Sequence, residues 1–205
     1  SGYEPTVSLD EADLAFMNTC AIRENAEEKV WNRLDHWKGL KRRNPDLVMG
    51  VLGCMAEHLR KDLLQSSKNV VDLVIGPDEY RKLPALIDST RSSGESGIAV
   101  KLSRTETYDD IVPFRTEGIS AFISVMRGCD KFCTFCVVPF TRGRERSRSI
   151  QSVADECKQL EQQGFSEITL LGQNVNSFED EGKDFSDLLA ACAKAVPTVR
   201  LRYTT

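Results

Sequence analysis

The sequence lacks a long hydrophobic run, an excess of positive charge and an export signal. No stretch of 18 apolar residues occurs in its 205 residues, which excludes a membrane-spanning helix. Lys and Arg number 27 against 31 Asp and Glu, so the net charge of −4 excludes a globally basic, histone-like nucleic-acid binder, although not a local basic patch. The first residues, SGYEPTVSLDEAD, are acidic and polar, unlike a secretory signal. Hydrophobic residues make up 40% of the chain, enough for one large domain or two small ones.

Cysteine is the most informative residue type in this chain. Its count of seven is odd, and with no export signal this argues against a disulfide framework. Cys129, Cys133 and Cys136 lie within eight residues, which indicates metal or redox chemistry. The CxxxCxxC spacing supplies three thiolates, one fewer than the four that close an iron–sulfur cubane, and so leaves one position open for a substrate. A closed zinc site that borrows Cys157 or Cys192 is the alternative interpretation.

The hydrophobic pattern predicts an α/β protein with two domains. Short apolar runs alternate with amphipathic helices over residues 1–90, which is typical of a doubly wound parallel sheet. Pro77 is expected to open the last helix of this domain. Residues 91–117 are polar and form the expected linker, and residues 89–97 have the composition of a loop. The alternation restarts over residues 118–205, where three strands and two helices are expected to form half of a barrel.

The cysteine motif and four other segments resemble the methylthiotransferase family of radical S-adenosylmethionine enzymes, and more narrowly its MiaB-type branch. The four segments are NTCAIRENAEEKV (18–30), GCMAE (53–57), VVPFTRGRE (137–145) and LGQNVN (171–176). The resemblance covers essentially the whole chain. It implies that residues 118–205 are the first half of a partial (β/α)6 radical barrel. It also implies that the chain is a fragment, without the family's first N-terminal cysteine, its later barrel strands and its C-terminal TRAM domain.

The resemblance implies two 4Fe–4S clusters and S-adenosylmethionine as cofactors. Cys129, Cys133 and Cys136 would hold the radical cluster, whose open iron would bind S-adenosylmethionine for one-electron cleavage to a 5′-deoxyadenosyl radical. Phe135 would lie against the adenine. The residues expected to contact S-adenosylmethionine are Phe135, Gly172, Gln173 and Asn174. No catalytic residue is assigned beyond the cluster ligands.

Two cysteines of the N-terminal domain match ligands of the family's second, auxiliary cluster. Cys20 and Cys54 each follow a predicted strand directly, and the carboxyl ends of parallel strands are where α/β sheets gather ligands. The resemblance implies that these two thiols are two of the three protein ligands of the auxiliary cluster. Without the resemblance, two cysteines 34 residues apart are more often core or spectator residues.

An arginine-rich stretch follows the cysteine motif. Arg142, Arg144, Arg146 and Arg148 occupy every second position, so in an extended strand all four would project to one face. The segment from Arg127 to Arg148 has six basic and two acidic residues, which suits the phosphates of a nucleic acid. These four arginines are therefore candidate RNA contacts. The alternative is that they pair with Asp and Glu of the neighbouring domain.

The resemblance implies an enzyme that replaces the C2 hydrogen of N(6)-isopentenyladenosine, next to the tRNA anticodon, with a methylthio group. We expect tRNA as substrate, an electron donor such as flavodoxin, no membrane partner, a monomer and a cytoplasmic location. Two alternatives remain. One is a sister methylthiotransferase for threonylcarbamoyl-adenosine of tRNA or for a ribosomal-protein aspartate. The other is a non-catalytic iron–sulfur or zinc protein that only binds a partner.

Overall fold

The α/β class expected from the sequence is confirmed by the computed structural model, which describes residues 3–21, 24–66, 70–111, 113, 115 and 118–204. The chain divides into two units. Unit 1 comprises Ser1–Ser103 with Thr134–Arg142, and unit 2 comprises Arg104–Cys133 with Gly143–Thr205. Part of the predicted linker lies outside the described residues. In the described part of the chain, no helix is both long and apolar enough to cross a bilayer.

Unit 1 is built on a parallel sheet of four strands in the order β1-β2-β3-β4. Its helices and strands are β1 (Leu14–Thr19), α1 (Glu24–Arg43), β2 (Val48–Gly53), α2 (Cys54–Leu59), α3 (Lys61–Ser66), β3 (Leu73–Ile75), α4 (Leu83–Ser93), β4 (Gly97–Ala99) and the short α5 (Val138–Thr141).

Helices cover both faces of this sheet, as expected for a doubly wound domain. On one face, Leu34 and Trp37 of α1 pack with Met49 of β2 in a cluster that α2 and α3 complete. On the other face, Ile87 of α4 packs with Leu73 of β3. The helical spacing of the apolar residues in α1 is therefore explained by burial of a single stripe against the sheet.

The helix after β3, which is α4, and the strand after it, β4, differ from the prediction. Pro77 lies in a turn, and α4 begins at Leu83 with Pro84 in its first turn. Two prolines seven residues apart both satisfy the rule for a helix start, and the rule does not choose between them. The helix then continues through most of residues 89–97, which were expected to form a loop. Because β4 pairs with β3, unit 1 also extends beyond residue 90 into the predicted linker.

Unit 2 contains a parallel sheet in the order β5-β8-β9 and a separate antiparallel pair, β6-β7. Its helices and strands are β5 (Ser120–Ser124), β6 (Met126–Arg127), β7 (Arg146–Ser147), α6 (Ile150–Gln162), β8 (Glu167–Leu171), α7 (Phe185–Ala195) and β9 (Arg200–Thr204). Both helices pack on one apolar core with β5 and β8.

Side chains at the helix starts fix where α6 and α7 begin. The Ser149 hydroxyl accepts a hydrogen bond from Ser152 N at 3.2 Å and caps α6. Asp184 and Asp187 form a reciprocal capping box at the start of α7. Such caps satisfy N–H groups that have no partner within the helix. The two βα connections are thereby held in a defined register on the sheet.

Candidate metal centre

The loop that carries CxxxCxxC begins directly after β6, and its first backbone N–H groups are fixed within unit 2. Gly128 N donates to Oε1 of Gln173 at 2.8 Å. Cys129 N donates to the carbonyl oxygen of Gly143 at 3.1 Å. We call Gly128, Cys129 and Asp130 the loop base. The antiparallel pairing of β6 with β7 brings the loop base beside the segment that precedes β7.

The third N–H group of the loop base is bound by a carboxylate. Asp130 N donates to Oε1 of Glu145 at 3.2 Å, and Glu145 N donates in return to Oδ1 of Asp130 at 3.4 Å. Nδ2 of Asn174 donates to the same Glu145 oxygen at 3.2 Å. Arg144 forms an ion pair with Asp130 at 3.2 Å. Sequence reasoning missed Glu145, although a single acidic residue inside a run of arginines is a signal of local pairing.

Close backbone packing at this position requires glycine. Gly128 has a φ of +79°, and a Cβ there would lie 2.0 Å from the carbonyl oxygen of Arg144. A Cβ on Gly172 would lie 2.6 Å from Cγ of Met126. No side chain can be added at either position without moving the neighbouring atoms. The loop base and the end of β8 are therefore held close to their neighbours in unit 2.

The three cysteines of the motif differ in exposure. Cys129 is only 9% exposed, Cys133 is exposed and Cys136 is half-buried, and all three are free thiols. Cys129 and Cys133 belong to unit 2, and Cys136 belongs to unit 1. Among the described residues, no three Cys, His, Asp or Glu side chains are gathered as a metal site. The donor set nevertheless fits an iron–sulfur cluster chemically, because three free thiols on one short loop are the ligand type that such clusters use.

The two cysteines considered as a fourth zinc ligand lie in the core of unit 2. Cys157 and Cys192 are fully buried between α6 and α7. A hydrogen bond with Cys192, together with burial, raises the pKa of the Cys157 thiol. A zinc ligand must be a thiolate. This pair therefore has the character of core thiols, and the zinc interpretation gains no support from it.

The residues expected to contact S-adenosylmethionine differ in their surroundings: one is exposed, and two are hydrogen-bonded within unit 2. Phe135 is 94% exposed. Oε1 of Gln173 accepts the hydrogen bond from Gly128, and the Asn174 amide donates to Glu145 and to the hydroxyl of Ser177. Gln173 thus binds the loop base directly, and Asn174 is linked to it through Glu145. Their assignment to S-adenosylmethionine stays a prediction.

Cys20 and Cys54 follow neighbouring strands of unit 1. Thr19 is in register with Gly53 at the carboxyl ends of β1 and β2, so the two cysteines occupy equivalent positions in the chain. Cys20 is exposed, whereas Cys54 is buried as the first residue of α2. Nε of Arg142, directly after α5, donates to Sγ of Cys54 at 3.1 Å.

The surroundings of Arg142 raise the pKa of its guanidinium group. Burial lowers the pKa of its guanidinium group, but the Cys54 sulfur, Tyr80 and Asp78 together raise it by more. Arg142 was expected to contact RNA, whereas its Nε is directed to a buried thiol of its own unit. The arginine therefore places a positive charge beside the Cys54 sulfur.

Glu57, one turn after Cys54 in α2, is a second residue that sequence reasoning did not single out. Its side chain is 1% exposed in total, and its Oε2 has no hydrogen-bond partner among the described residues. Burial raises the pKa of Glu57 to about 6, Arg60 opposes this effect, and Asp78 and Glu79 raise it further. The glutamate therefore gains a proton more readily than an exposed carboxylate. The GCMAE motif contains it, but the sequence alone does not indicate its burial.

The four arginines do not project to one face. Arg144 is exposed and lies over the ring of Phe132 at 5.2 Å, whereas Arg146 and Arg148 are 6% and 7% exposed. Arg148 forms an ion pair with Glu156 at 2.6 Å within its own unit. The segment is extended only at β7, so the alternation expected of one continuous strand does not apply. Arg148 is thus ion-paired, although within its own unit and not with a neighbouring domain as the alternative interpretation expected. Arg144, which pairs with Asp130, is the exposed candidate for phosphate contact.

Both halves of the chain match known families. Residues 123–205 match the Radical SAM superfamily, and residues 1–76 match the Uncharacterized protein family UPF0004. A protein of Chloroherpeton thalassium named tRNA-2-methylthio-N(6)-dimethylallyladenosine synthase is 53% identical over 100% of this chain and 46% of its own length. Proteins of the same name from Prosthecochloris aestuarii and Parabacteroides distasonis are 54% and 50% identical over 100% of this chain, and over 46% and 45% of their own lengths.

Over its whole length the chain is thus similar to proteins of this one name, and residues 123–205 carry the match to the Radical SAM superfamily. It spans about half the length of the curated relatives it matches. A solved structure of the radical S-adenosylmethionine methyltransferase TsrM from Kitasatospora setae, with cobalamin and a [4Fe-4S] cluster bound, is similar with a TM-score of 0.64. The identity is 16% over 94% of this chain and 45% of that chain, so this likeness concerns the fold alone.

Proposed function

We propose that this protein is a tRNA methylthiotransferase that places a methylthio group at C2 of N(6)-isopentenyladenosine beside the anticodon. The observation that carries the proposal is the loop with three free thiols, Cys129, Cys133 and Cys136, whose base is hydrogen-bonded on three successive N–H groups. Identity of 50–54% with relatives of that name over the whole chain supports the choice of substrate.

Cys129, Cys133 and Cys136 would hold a 4Fe–4S cluster, with S-adenosylmethionine as its partner. When bound, these groups supply the one-electron chemistry that an unactivated C–H bond requires. The protein contributes three thiolates and a fixed loop base. Exposed Phe135 is available to pack against the adenine of S-adenosylmethionine. Gln173 holds the backbone that precedes the first ligand.

A second 4Fe–4S cluster is proposed on unit 1, with Cys20 and Cys54 as two of its ligands. Their equivalent positions after β1 and β2 support this assignment. The hydrogen bond from Arg142 supports it further, since it places a positive charge beside a sulfur that must be deprotonated as a ligand.

Arg144 is the residue proposed to contact the phosphates of tRNA, because it is exposed and borders the loop base. An anticodon-loop adenosine is a single-stranded target whose base can be turned towards a site. We also propose a flavodoxin-type electron donor, a monomeric state and a cytoplasmic location, in keeping with a tRNA substrate and a one-electron reaction.

Mass analysis of tRNA nucleosides from a strain that lacks the gene tests this proposal. Complementation with the wild-type gene should restore the methylthio-isopentenyl nucleoside, and complementation with the Cys129→Ala variant should not. Cys192→Ala, which removes a core thiol, is the matched control and should restore it. Loss of a methylthio-threonylcarbamoyl nucleoside, or no change in tRNA with an altered ribosomal protein, would contradict the proposed substrate.

A further inference from the structure

Glu145 is a carboxylate next to a loop that must carry three negative thiolates. Repulsion between like charges makes this an unfavourable place for an acidic residue unless it has another role. Its geometry gives that role: one oxygen accepts N–H groups from Asp130 and Asn174, both at 3.2 Å. Glu145 thus joins the loop base to the residues that follow β8.

We propose that Glu145 is a positioning residue for Cys129, which fixes the direction of this ligand by holding the backbone of Asp130. The inference rests on the proposed function, since it takes Cys129 as a cluster ligand. The hydrogen bonds of Glu145 and Asp130 are reciprocal, from each backbone N–H to the other's carboxylate. A reciprocal pair restrains both segments at once, as a capping box does at a helix start.

Two neighbouring hydrogen bonds restrain the rest of the backbone around Cys129, the first proposed ligand. Gly128 N donates to Gln173, and Cys129 N donates to the carbonyl of Gly143. The backbone is therefore bound before, at and after Cys129. The side chain of Cys129 is buried, whereas Cys133 farther along the loop is exposed. One ligand is preorganised, and the exposed one retains the freedom to close on a metal cluster.

The surrounding charges allow a carboxylate here. Arg144 forms an ion pair with Asp130 at 3.2 Å and so offsets part of the negative charge of the pair. Asn174 donates a neutral N–H to Glu145. Hydrogen bonds to an ionised acceptor are stronger than those between neutral groups. This strength explains why an acidic residue is useful despite the nearby thiolates.

Hydrogen exchange on the metal-free protein gives the first test. In Glu145→Ala, the amide of Asp130 should exchange roughly tenfold faster than in the wild type, the effect expected for a lost charged acceptor. Glu145→Gln keeps a carbonyl acceptor and should recover much of the protection. Glu179→Ala is the matched control, because Glu179 accepts the N–H of Gly182 at 2.8 Å in another loop of unit 2. That control should leave the Asp130 amide unchanged.

Cluster retention gives the second test and separates positioning from general stability. After anaerobic reconstitution, Glu145→Ala should lose iron to a chelator several-fold faster than both the wild type and Glu179→Ala, which also loses a side-chain hydrogen bond and so controls for stability. Glu145→Gln should retain the iron. Equal Asp130 exchange, or equal iron retention, in wild type and Glu145→Ala overturns the inference alone. Wild-type protein that binds no iron through Cys129 overturns both the inference and the proposed function.

Discussion

Replacing Gly128 by alanine should destabilise unit 2 far more than the same change at Gly182. Both glycines have nearly the same left-handed backbone, with φ of +79° and +81°. That conformation costs a residue with a Cβ about 1–2 kcal/mol. Around Gly182 no atom lies within 4 Å of an added Cβ, so Gly182→Ala should cost only that amount. The pair therefore isolates the effect of close packing at the loop base.

At Gly128 an added Cβ would lie 2.0 Å from the carbonyl oxygen of Arg144 and 2.6 Å from that of Gly143. The backbone must move until these contacts are normal, which breaks the hydrogen bond between Cys129 and Gly143 and strains the β6-β7 pair. Each lost hydrogen bond costs about 1 kcal/mol. We therefore expect a loss of about 3–5 kcal/mol for Gly128→Ala. Denaturant unfolding followed by circular dichroism measures it, and a loss within about 0.5 kcal/mol of that of Gly182→Ala would refute this reasoning.

Three further predictions concern charged residues. Because the pKa of Glu57 rises from 4.5 to about 6 on folding, the folded state binds its proton more tightly, so stability should fall by about 2 kcal/mol in total as pH rises from about 3.5 to about 7, with more than half of the fall between pH 4.5 and 6. In Glu57→Gln a pH series of unfolding curves should lack this fall, and an unchanged slope would refute it. Arg148→Met leaves half-buried Glu156 with one partner fewer and should cost about 3 kcal/mol, whereas exposed Arg144→Met should cost less than about 1 kcal/mol. Equal unfolding free energies for the two variants would contradict this. Arg142→Met removes the hydrogen bond to Cys54, which would stabilise the more negative reduced state of the cluster proposed on Cys20 and Cys54. A redox titration followed by EPR should therefore give a lower reduction potential for this cluster in Arg142→Met than in Arg144→Met, and equal potentials would count against the prediction.

Most of the helices and strands were predictable from the sequence, because burial of one or both faces gives their apolar residues a regular spacing along the chain. The stripe of α1 and the continuous apolar runs of β2 and β8 were predicted close to their observed bounds. The region after β3 was not, because Pro77 and Pro84 satisfy the same local rule and the packing of Ile87 on the sheet decides between them. Composition also failed at the serine-rich residues 89–93, which continue α4.

The sequence offers site residues where chemistry depends on spacing along the chain, and none where it depends on contacts in space. Cys129, Cys133 and Cys136 were proposed as cluster ligands from their spacing and the family resemblance, and this assignment stays a prediction. The arginines were assigned to one face from their alternation, whereas burial of Arg146 and Arg148 depends on tertiary packing. The contacts of Arg142 with Cys54 and of Glu145 with Asp130 join residues 88 and 15 positions apart. No local pattern encodes such pairs.

The central claim is that Cys129 is a ligand of an iron–sulfur cluster. We would measure iron and acid-labile sulfide after anaerobic reconstitution, with EPR of the reduced sample, in the wild type, Cys129→Ala and Cys192→Ala. The account predicts at least about four iron atoms per wild-type chain and a reduced-cluster signal that Cys129→Ala loses and Cys192→Ala keeps. Zinc in place of iron, or a signal unaffected by Cys129→Ala, would contradict it.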